Sequence, residues 1–335
     1  MSAPLLEVSN LAVRFDTDEG SVHAVNQVSF TLEEGEALGI VGESGSGKSV
    51  TALSIMGLVP TPPGRIEGGS VRFRGRELLG APERELRRIR GREVAMVYQD
   101  PMTSLNPALP VGRQVGEIVR HHLGLDRRQA VERASELLAL VGIPNAAGRL
   151  GDHPHQFSGG QRQRILIAMA LSCDPAVLIA DEPTTALDVT VQAQIVELIK
   201  ELRDRLGMAI IWITHDLGVV AGLVDKITVM YSGYAVEQAP VRELFARPSH
   251  PYTVGLLRSL PTFGGQRHRL TPIPGSPPDL SRREDACPFA PRCDWVIEPC
   301  RENFPDLASV APEHDAACHR RDEVRDAPAL ADATP

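Results

Sequence analysis

The residues best suited to binding phosphate lie in a glycine-rich stretch near the N-terminus. Residues 42–49 read G-x-x-x-x-G-K-S, between a predicted strand, 37–41, and a predicted helix, 48–58. Glycines let the backbone wrap around a phosphate, and the start of a helix favours an anion. The Lys48 ammonium can reach the β- and γ-phosphates of a nucleotide, and the Ser49 hydroxyl can bind Mg²⁺. The predicted nucleotide-binding residues here are Gly42, Glu43, Ser44, Gly45, Ser46, Gly47, Lys48, Ser49 and Val50.

Polar side chains follow two further predicted strands. The apolar stretch 176–180 ends in Asp181 and Glu182. A carboxylate at the end of a buried strand, beside a phosphate loop, is suited to binding Mg²⁺. Glu182 would then orient and polarise an attacking water. His215 follows the predicted strand 209–214 and is a candidate contact to the γ-phosphate, although a lone histidine is more often structural.

A second anion site is predicted where another helix begins. Residues 157–161 read FSGGQ; Ser158 can cap the helix, and the two glycines leave backbone N–H groups open to an anion. In isolation the pattern is more typical of a plain capped helix start. Because the phosphate loop does not need this second site, the pattern favours two subunits that share nucleotides. Gln99, at the end of a predicted strand, 94–98, could contact Mg²⁺ or water.

The elements that must position these residues are strands and helices in alternation. Besides 37–41 and 94–98, strands are predicted at 5–15, 22–32, 176–180, 209–214 and 226–231. Helices are predicted at 48–58, within 112–142, at 161–172 and at 189–206. Residues 60–80, rich in glycine and proline, are predicted to form turns and short β structure. Predicted buried positions within 112–142 are Val115, Ile118, Val119, Leu137, Leu138 and Val141. A strand, a glycine loop and a helix in this order indicate an α/β fold.

The overall composition is that of a globular protein. Hydrophobic residues make up 42% of the 335 residues and charged residues 23%, which excludes a disordered chain. The net charge of −8 argues against nucleic-acid binding. The apolar stretches are too short to span a membrane, and the N-terminus lacks the pattern of a signal peptide. We therefore expect a cytoplasmic protein that reaches a membrane only through another polypeptide.

Taken together, these motifs resemble the nucleotide-binding domain of ABC transporters over about residues 5–235. GESGSGKS resembles Walker A, VLIADEP resembles Walker B with its catalytic glutamate, and FSGGQ resembles the signature motif. Gln99 matches the Q-loop, residues 186–188 the D-loop, and His215 the switch histidine. The resemblance implies an α/β P-loop ATPase core with an antiparallel β part and a helical subdomain at about 100–157.

The resemblance also implies a role for each matching residue. Two domains meet head to tail, and each ATP lies between the phosphate loop of one and the signature motif of the other. Lys48, Glu182 and His215 are the expected catalytic residues. Ser49, Gln99 and Asp181 are expected to arrange Mg²⁺. The other expected nucleotide contacts are Phe15, which would stack on adenine, Ser158, Gly159, Gly160, Gln161 and Asp188.

Three longer segments narrow the resemblance to the ATPases of dipeptide and oligopeptide (peptide/nickel) importers. They are QDPMTSLNP (99–107), HPHQFSGGQRQR (153–164) and HPYT (250–253). This family implies two membrane permease subunits, a second and different ATPase subunit, and an extracytoplasmic solute-binding protein. It also implies a place on the cytoplasmic face of the membrane. Glutathione and nickel chelates remain alternative solutes, and a soluble ABC ATPase without transport is the rival class.

The C-terminal part of the chain differs from the rest in composition. Fifteen of the 27 prolines lie at or beyond Pro240. We therefore predict an ABC domain at 1–235 and an extension at 236–335, which is rich in loops and too small to be stable without a staple. The segment CPFAPRC (287–293) resembles the same region of peptide importers.

Four of the five cysteines lie in this extension, at Cys287, Cys293, Cys300 and Cys318. In a cytosolic protein such clustering favours a metal or cluster site over disulfides. Zinc sites usually contain a C-x2-4-C pair, which these spacings lack, whereas thiolates on loops suit a [4Fe–4S] cluster. Some relatives with this extension carry such a cluster, so we expect one here. Zinc or no metal remain alternatives, with His314 and His319 as substitute ligands, and Cys173 is expected to be a buried small residue.

Overall fold

The computed structural model describes residues 3–18, 20–100, 104–185, 187–260, 272–281 and 285–327. Ala186 of the predicted D-loop lies outside these ranges. The chain divides into two compact units. The first consists of Met1–Leu32, Ala37–Leu79 and Thr214–Pro335, and the second of Glu33–Glu36 and Gly80–Ile213.

Strands in the described residues follow the predicted order closely. They are β1 (Leu6–Thr17), β2 (Gly20–Leu32), β3 (Ala37–Val41), β4 (Gly64–Phe73), β5 (Arg76–Glu77), β6 (Val94–Val97), β7 (Val177–Asp181), β8 (Ala209–Thr214), β9 (Lys226–Tyr231), β10 (Tyr234–Pro240), β11 (Ala308–Ala311) and β12 (His314–Ala316). The prediction of turns and short β structure over 60–80 underestimated β4. That strand is ten residues long, because alternate side chains such as Val71 and Phe73 are buried where it pairs with β1.

The α-helices in the described residues are α1 (Lys48–Ile55), α2 (Glu83–Ile89), α3 (Val111–Leu123), α4 (Arg127–Leu140), α5 (Gly159–Ala170), α6 (Val189–Leu206), α7 (Leu217–Val220), α8 (Val241–Ala246), α9 (Pro251–Arg258), α10 (Pro299–Glu302) and α11 (Arg321–Asp326). The predicted helical stretch 112–142 is two helices, because Gly124 ends the first in a left-handed conformation. The predicted buried positions in this stretch are buried except Ile118, which is half-buried. No helix of the described ranges is long and apolar enough to cross a membrane.

The first unit contains the phosphate loop and the C-terminal extension. Strands β2, β1, β4 and β5 form an antiparallel sheet in that order. A second set of strands runs in the order β11, β12, β10, β9, β3. Only β3 and β9 are parallel in this set, so the phosphate loop begins at the carboxyl end of a buried parallel strand. The extension is more regular than predicted at its start, since β10 crosses residue 235 and α8 and α9 follow it.

The second unit contains three parallel strands, β6, β7 and β8 in order. Strand β7 is fully buried and strand β8 is buried along its whole length. Helices α3, α4 and α5 belong to the same unit, with Val115, Val119, Leu137 and Leu138 in its core. Because parallel strands end at one edge, the residues that follow β6 and β7 are brought to the same side of the sheet.

Candidate functional site

The phosphate loop of the first unit follows a backbone path that only glycine can adopt. Gly42, Gly45 and Gly47 have φ values of 158°, 79° and 97°. A Cβ on Gly42 would lie 2.1 Å from the carbonyl oxygen of Met230, and one on Gly47 would lie 2.3 Å from that of Ala24. Glycine is therefore required in this motif for two reasons: the backbone adopts positive φ angles, and neighbouring backbone lies too close for a Cβ atom.

The Lys48 side chain hydrogen-bonds to the main chain of this loop. Its side chain is buried, and Nζ donates hydrogen bonds to the carbonyl oxygens of Gly42 at 2.8 Å and Glu43 at 2.9 Å. Helix α1 begins at Lys48, and its N-cap residue Gly47 has no side chain with which to cap the helix. A buried cation and a helix N-terminus therefore meet at one loop, an arrangement that binds phosphate.

Ser46 supplies an observation that tests whether a nucleotide fits here. Its hydroxyl is buried and, among the described residues, has no hydrogen-bond partner. A buried hydroxyl without a partner is unfavourable by about 1–3 kcal/mol unless a ligand or water satisfies it. Ser46 lies in the middle of the phosphate loop, so a bound phosphate is a chemically suitable partner. The residues present fit the predicted nucleotide.

Residues of the C-terminal extension bind the second residue of the loop. The Arg292 guanidinium donates to both carboxylate oxygens of Glu43, at 2.8 and 3.0 Å, and to the Tyr231 hydroxyl at 3.2 Å. The Glu43 backbone N–H donates to the Tyr252 hydroxyl at 2.8 Å. The hydrogen bond with Glu43 raises the pKa of Arg292. Sequence reasoning missed these contacts, although Tyr252 lies in HPYT and Arg292 in CPFAPRC.

Phe15 and His215 belong to the same unit as the loop. Phe15 is half-buried on β1, and a Cβ on Gly64 of β4 would lie 3.0 Å from its ring. His215 is exposed directly after β8, and the next residue, Asp216, caps α7 through Gly218. Their proposed contacts with adenine and the γ-phosphate remain predictions.

In the second unit, the ends of β6 and β7 bring Gln99 and Glu182 together. Gln99 Nε2 donates to Glu182 Oε2 at 3.4 Å, and the Thr185 hydroxyl donates to the same oxygen at 2.9 Å. Glu182 has a φ of 46°, a left-handed conformation that is unfavourable for a residue other than glycine. Such backbone strain is often found at functional sites. Asp181, the last residue of β7, is buried.

The FSGGQ segment forms a capped helix start, as predicted. The Ser158 hydroxyl accepts the Gln161 N–H at 3.3 Å, and the Gln161 side chain accepts the Ser158 N–H at 3.2 Å. Gly160 is close to α6, because a Cβ there would lie 2.6 Å from Val191. Asp188 caps α6 by accepting the Val191 N–H at 2.9 Å. The predicted signature and D-loop residues are therefore neighbours within this unit.

The four cysteines of the extension line one small cavity, together with His250 and His319. Burial raises the pKa of Cys287 to about 11 and that of Cys318 to about 12. Backbone N–H groups of Trp295 and Arg320 donate to Cys293 and Cys318 sulfur, at 3.3 and 3.4 Å. Hydrogen bonds from N–H groups to sulfur are one feature of iron–sulfur sites.

Within the described ranges, which include all four of these cysteines, no group of three or more His, Cys, Asp or Glu side chains is arranged to hold a metal ion. His314 is fully buried elsewhere, with Nε2 2.7 Å from Glu237 and Nδ1 2.6 Å from Arg325. Cys173 is buried, as predicted, and burial raises its pKa.

Comparison with known proteins agrees with this geometry. Residues 25–185 match the ABC transporter family, and residues 236–300 match the oligopeptide/dipeptide transporter C-terminal region. The probable peptide ABC transporter ATP-binding protein y4tR of Sinorhizobium fredii is 52% identical over 96% of each chain. The oligopeptide transport ATP-binding protein OppD of Salmonella typhimurium is 52% identical over 94% of this chain and 93% of its own.

Two solved structures share the fold. The dimeric ATP-binding cassette MJ0796 in a post-hydrolysis state, bound to ADP and Pi, has a TM-score of 0.63 and 27% identity. That match covers 71% of this chain and 99% of MJ0796. CbiO1 from Clostridium perfringens, part of the ABC transporter complex cbiONQ, has a TM-score of 0.61 and 27% identity over 72% of this chain and 90% of its own.

The fold and the phosphate loop define an ABC-type ATPase. The chain belongs to the family of ABC transporter ATP-binding proteins, and within it to the peptide importer group that carries the oligopeptide/dipeptide transporter C-terminal region.

Proposed function

We propose that this chain hydrolyses ATP to power the import of short peptides through a membrane permease. The observation that carries the proposal is the phosphate loop, with its buried Lys48 ammonium and a Ser46 hydroxyl that has no hydrogen-bond partner in the described part of the chain. The chain is also 52% identical to an oligopeptide transport ATP-binding protein. The names of several relatives, which describe peptide transport or peptide import, support peptides as the solute.

The proposed roles follow the chemistry of each residue. Lys48 and the loop N–H groups hold the β- and γ-phosphates, and Phe15 stacks on adenine. Ser49, Gln99 and Asp181 would hold Mg²⁺, which supplies positive charge to the phosphates. Glu182 orients the attacking water, and His215 contacts the γ-phosphate. The Gln99–Glu182 hydrogen bond supports a shared task for these two side chains.

We also propose that two such domains bind ATP between them. Ser158, Gly159, Gly160 and Gln161 of one domain would face the nucleotide on the phosphate loop of the other, with Asp188 beside them. The dimeric MJ0796 cassette, bound to ADP and Pi, supports this proposal. ATP would hold the pair closed, and hydrolysis would release it.

The family supports a wider assembly. We propose an ABC domain at 1–235 with a helical subdomain at about 100–157, and an extension at 236–335. The partners are two permease subunits, a different second ATPase subunit and an extracytoplasmic solute-binding protein, with this chain on the cytoplasmic face. Glutathione or nickel chelates are the alternative solutes, and competition against labelled peptide uptake distinguishes them from peptides.

The first test separates ATP binding from hydrolysis. Glu182→Gln should bind ATP as tightly as the wild type but hydrolyse it at least about 100-fold more slowly, because the amide is a poor base. Lys48→Ala should lose both activities. Nucleotide binding and phosphate release are measured on the same preparations. Wild-type rates in Glu182→Gln would refute the assigned role of Glu182.

A second test addresses the signature motif. Ser158 and Asp126 form the same type of capping box in the second unit, at the starts of α5 and α4. Ser158→Ala and Asp126→Ala should each lower the free energy of unfolding by about 1 kcal/mol. Only Ser158→Ala should also lower ATP hydrolysis, by about tenfold or more. Equal ATPase rates in the two variants would count against a nucleotide contact at Ser158.

We propose further that Cys287, Cys293, Cys300 and Cys318 hold a [4Fe–4S] cluster that staples the extension. Their convergence on one cavity supports this assignment. Protein purified without oxygen should contain about four irons and four sulfides, with broad absorbance near 400 nm. If the protein contains one zinc and is colourless, the site is a structural zinc site and not a cluster. If it contains no metal, the four cysteines form a core of free thiols.

A further inference from the structure

Two side chains of the C-terminal extension reach the phosphate loop within the first unit. Arg292 and Tyr252 lie about 250 and 210 residues after Glu43 in the chain, and both bind it. Arg292 makes two parallel bonds to the carboxylate, and Tyr252 accepts the backbone N–H. The second residue of the loop is thus held at its side chain and at its main chain.

The Arg292 side chain is itself fixed. It is 5% exposed, its Nε donates to the Pro274 carbonyl at 2.8 Å, and it also donates to the Tyr231 hydroxyl. The rings of Tyr231 and Phe289 lie 5.8 and 5.9 Å from its guanidinium carbon. Because a planar, bidentate guanidinium has little freedom left in such surroundings, it can impose one position on its partner.

Glu43, the partner of Arg292, lies where its main chain binds two other residues of the phosphate loop. The Glu43 carbonyl accepts from Lys48, and the Ser46 N–H donates to that same carbonyl at 3.2 Å. A carboxylate in an anion-binding loop opposes a bound triphosphate unless a cation pairs with it. Arg292 supplies that cation, and it also fixes the residue whose carbonyl anchors the catalytic lysine.

We propose that Arg292 is a positioning residue for the phosphate loop, so that the affinity for ATP depends on the C-terminal extension. The inference rests on the proposed ATP site. Tyr252 supports the same loop residue through its hydroxyl. Arg292 ends the short 3-10 turn Ala290–Arg292 and directly precedes Cys293. The fold of the thiol-bearing segment therefore determines where the guanidinium lies.

The experiment measures equilibrium binding of a fluorescent ATP analogue to the full chain. Arg292→Met should raise the Kd about tenfold, which corresponds to about 1.4 kcal/mol. Arg292→Lys should recover part of the loss, because it restores the charge but not the paired bonds. In steady-state ATPase assays the KM for ATP should rise with little change in kcat, the sign of weakened binding alone.

The matched control is Arg325→Met in the same extension. Arg325 is 13% exposed and pairs with Glu243 at 3.1 Å. Its replacement removes an ion pair that does not involve the loop, together with the contact to His314 Nδ1. The Kd for the analogue should therefore stay within about twofold of the wild type, even if the extension is less stable. An equal loss of affinity in both variants would mean a general effect of the extension's stability and would overturn the assignment.

A double-mutant cycle with Glu43→Gln keeps the test decisive if one variant is unstable. Replacing Arg292 should weaken binding several-fold less in the Glu43→Gln background, because no carboxylate is then left unpaired. Additive effects would overturn the proposal. If wild-type protein does not bind the analogue, the proposed ATP site fails. If it binds, loses binding with Lys48→Ala and is unchanged with Arg292→Met, only the present inference fails.

Discussion

The phosphate loop and the C-terminal extension are held in shape in different ways. In the loop, glycines at 42, 45 and 47 set the backbone path, and Lys48 binds main-chain carbonyls. In the extension, side chains from distant segments meet one another. Glu237 accepts backbone N–H groups of Ser249 and His250 and lies 2.7 Å from His314.

The difference shows how much each region depends on the rest of the chain. The backbone path of the loop is set by its own glycines, and the carbonyl oxygens of Ala24 and Met230 limit the space beside it. Arg292 and Tyr252, which are distant in sequence, bind only its second residue, Glu43. The extension has short elements, such as α10 and β12, that cannot be stable alone. Its buried polar network joins several segments, so the loss of a fully buried member such as Glu237 should lower the stability of the region.

The largest effect should come from adding one methyl group to the phosphate loop. Gly42→Ala would place a Cβ 2.1 Å from the Met230 carbonyl oxygen, so the loop must move. We expect ATP binding to fall by at least about 100-fold, measured with the fluorescent analogue. Gly45→Ala is the control, because its φ is 79° but no atom of the described residues lies within 4 Å of the added carbon. ATP binding by that variant should fall only about tenfold, which is the effect of backbone strain alone. Equal binding by both variants would contradict a loop defined by close backbone packing.

The second effect concerns stability of the extension. Glu237 is fully buried, and Glu237→Gln would set an amide NH₂ against a backbone N–H donor. We expect the free energy of unfolding to fall by about 3 kcal/mol, measured by urea denaturation. Glu243→Gln is the matched control, since Glu243 is 47% exposed and pairs with Arg325. Its loss should be below about 1 kcal/mol. If Glu237→Gln also lowered the free energy of unfolding by less than about 1 kcal/mol, the buried network would not be essential to the stability of the extension.

The smallest effect is a pH dependence in the same region. Burial lowers the pKa of His250 from 6.5 to about 3, so the folded chain keeps this imidazole neutral. The unfolded chain takes up a proton below pH 6.5, so stability from this group is complete above 6.5 and is lost as pH falls towards 3. Between pH 7.5 and 5.5 the loss should amount to about 1.4 kcal/mol. His250→Asn can still accept the Tyr252 N–H and cap α9. The free energy of unfolding, measured by urea denaturation at several pH values between 7.5 and 5.5, should therefore fall more steeply with decreasing pH for the wild type than for this variant. An equal dependence on pH in both proteins would refute the role of His250.

The two regions also differ in how far the sequence predicted them. Strands 209–214 and 226–231 and helix 189–206 were predicted at their observed bounds, because each has a clear apolar pattern. The loop motif predicted a phosphate site between β3 and α1. The strand β4 was underestimated because Gly68 and Gly69 interrupt its alternation. Nothing in the local sequence around Arg292 or Glu237 indicated their partners, since these lie 249 and up to 77 residues away.

The central claim is that ATP hydrolysis by this chain drives peptide uptake. The most direct measurement is the uptake of a labelled short peptide by cells that carry the complete importer, with either the wild-type chain or Glu182→Gln at equal protein levels. We expect uptake with the wild type and loss of nearly all of it with Glu182→Gln. Uptake at the wild-type rate with Glu182→Gln would show that hydrolysis at this site does not drive import.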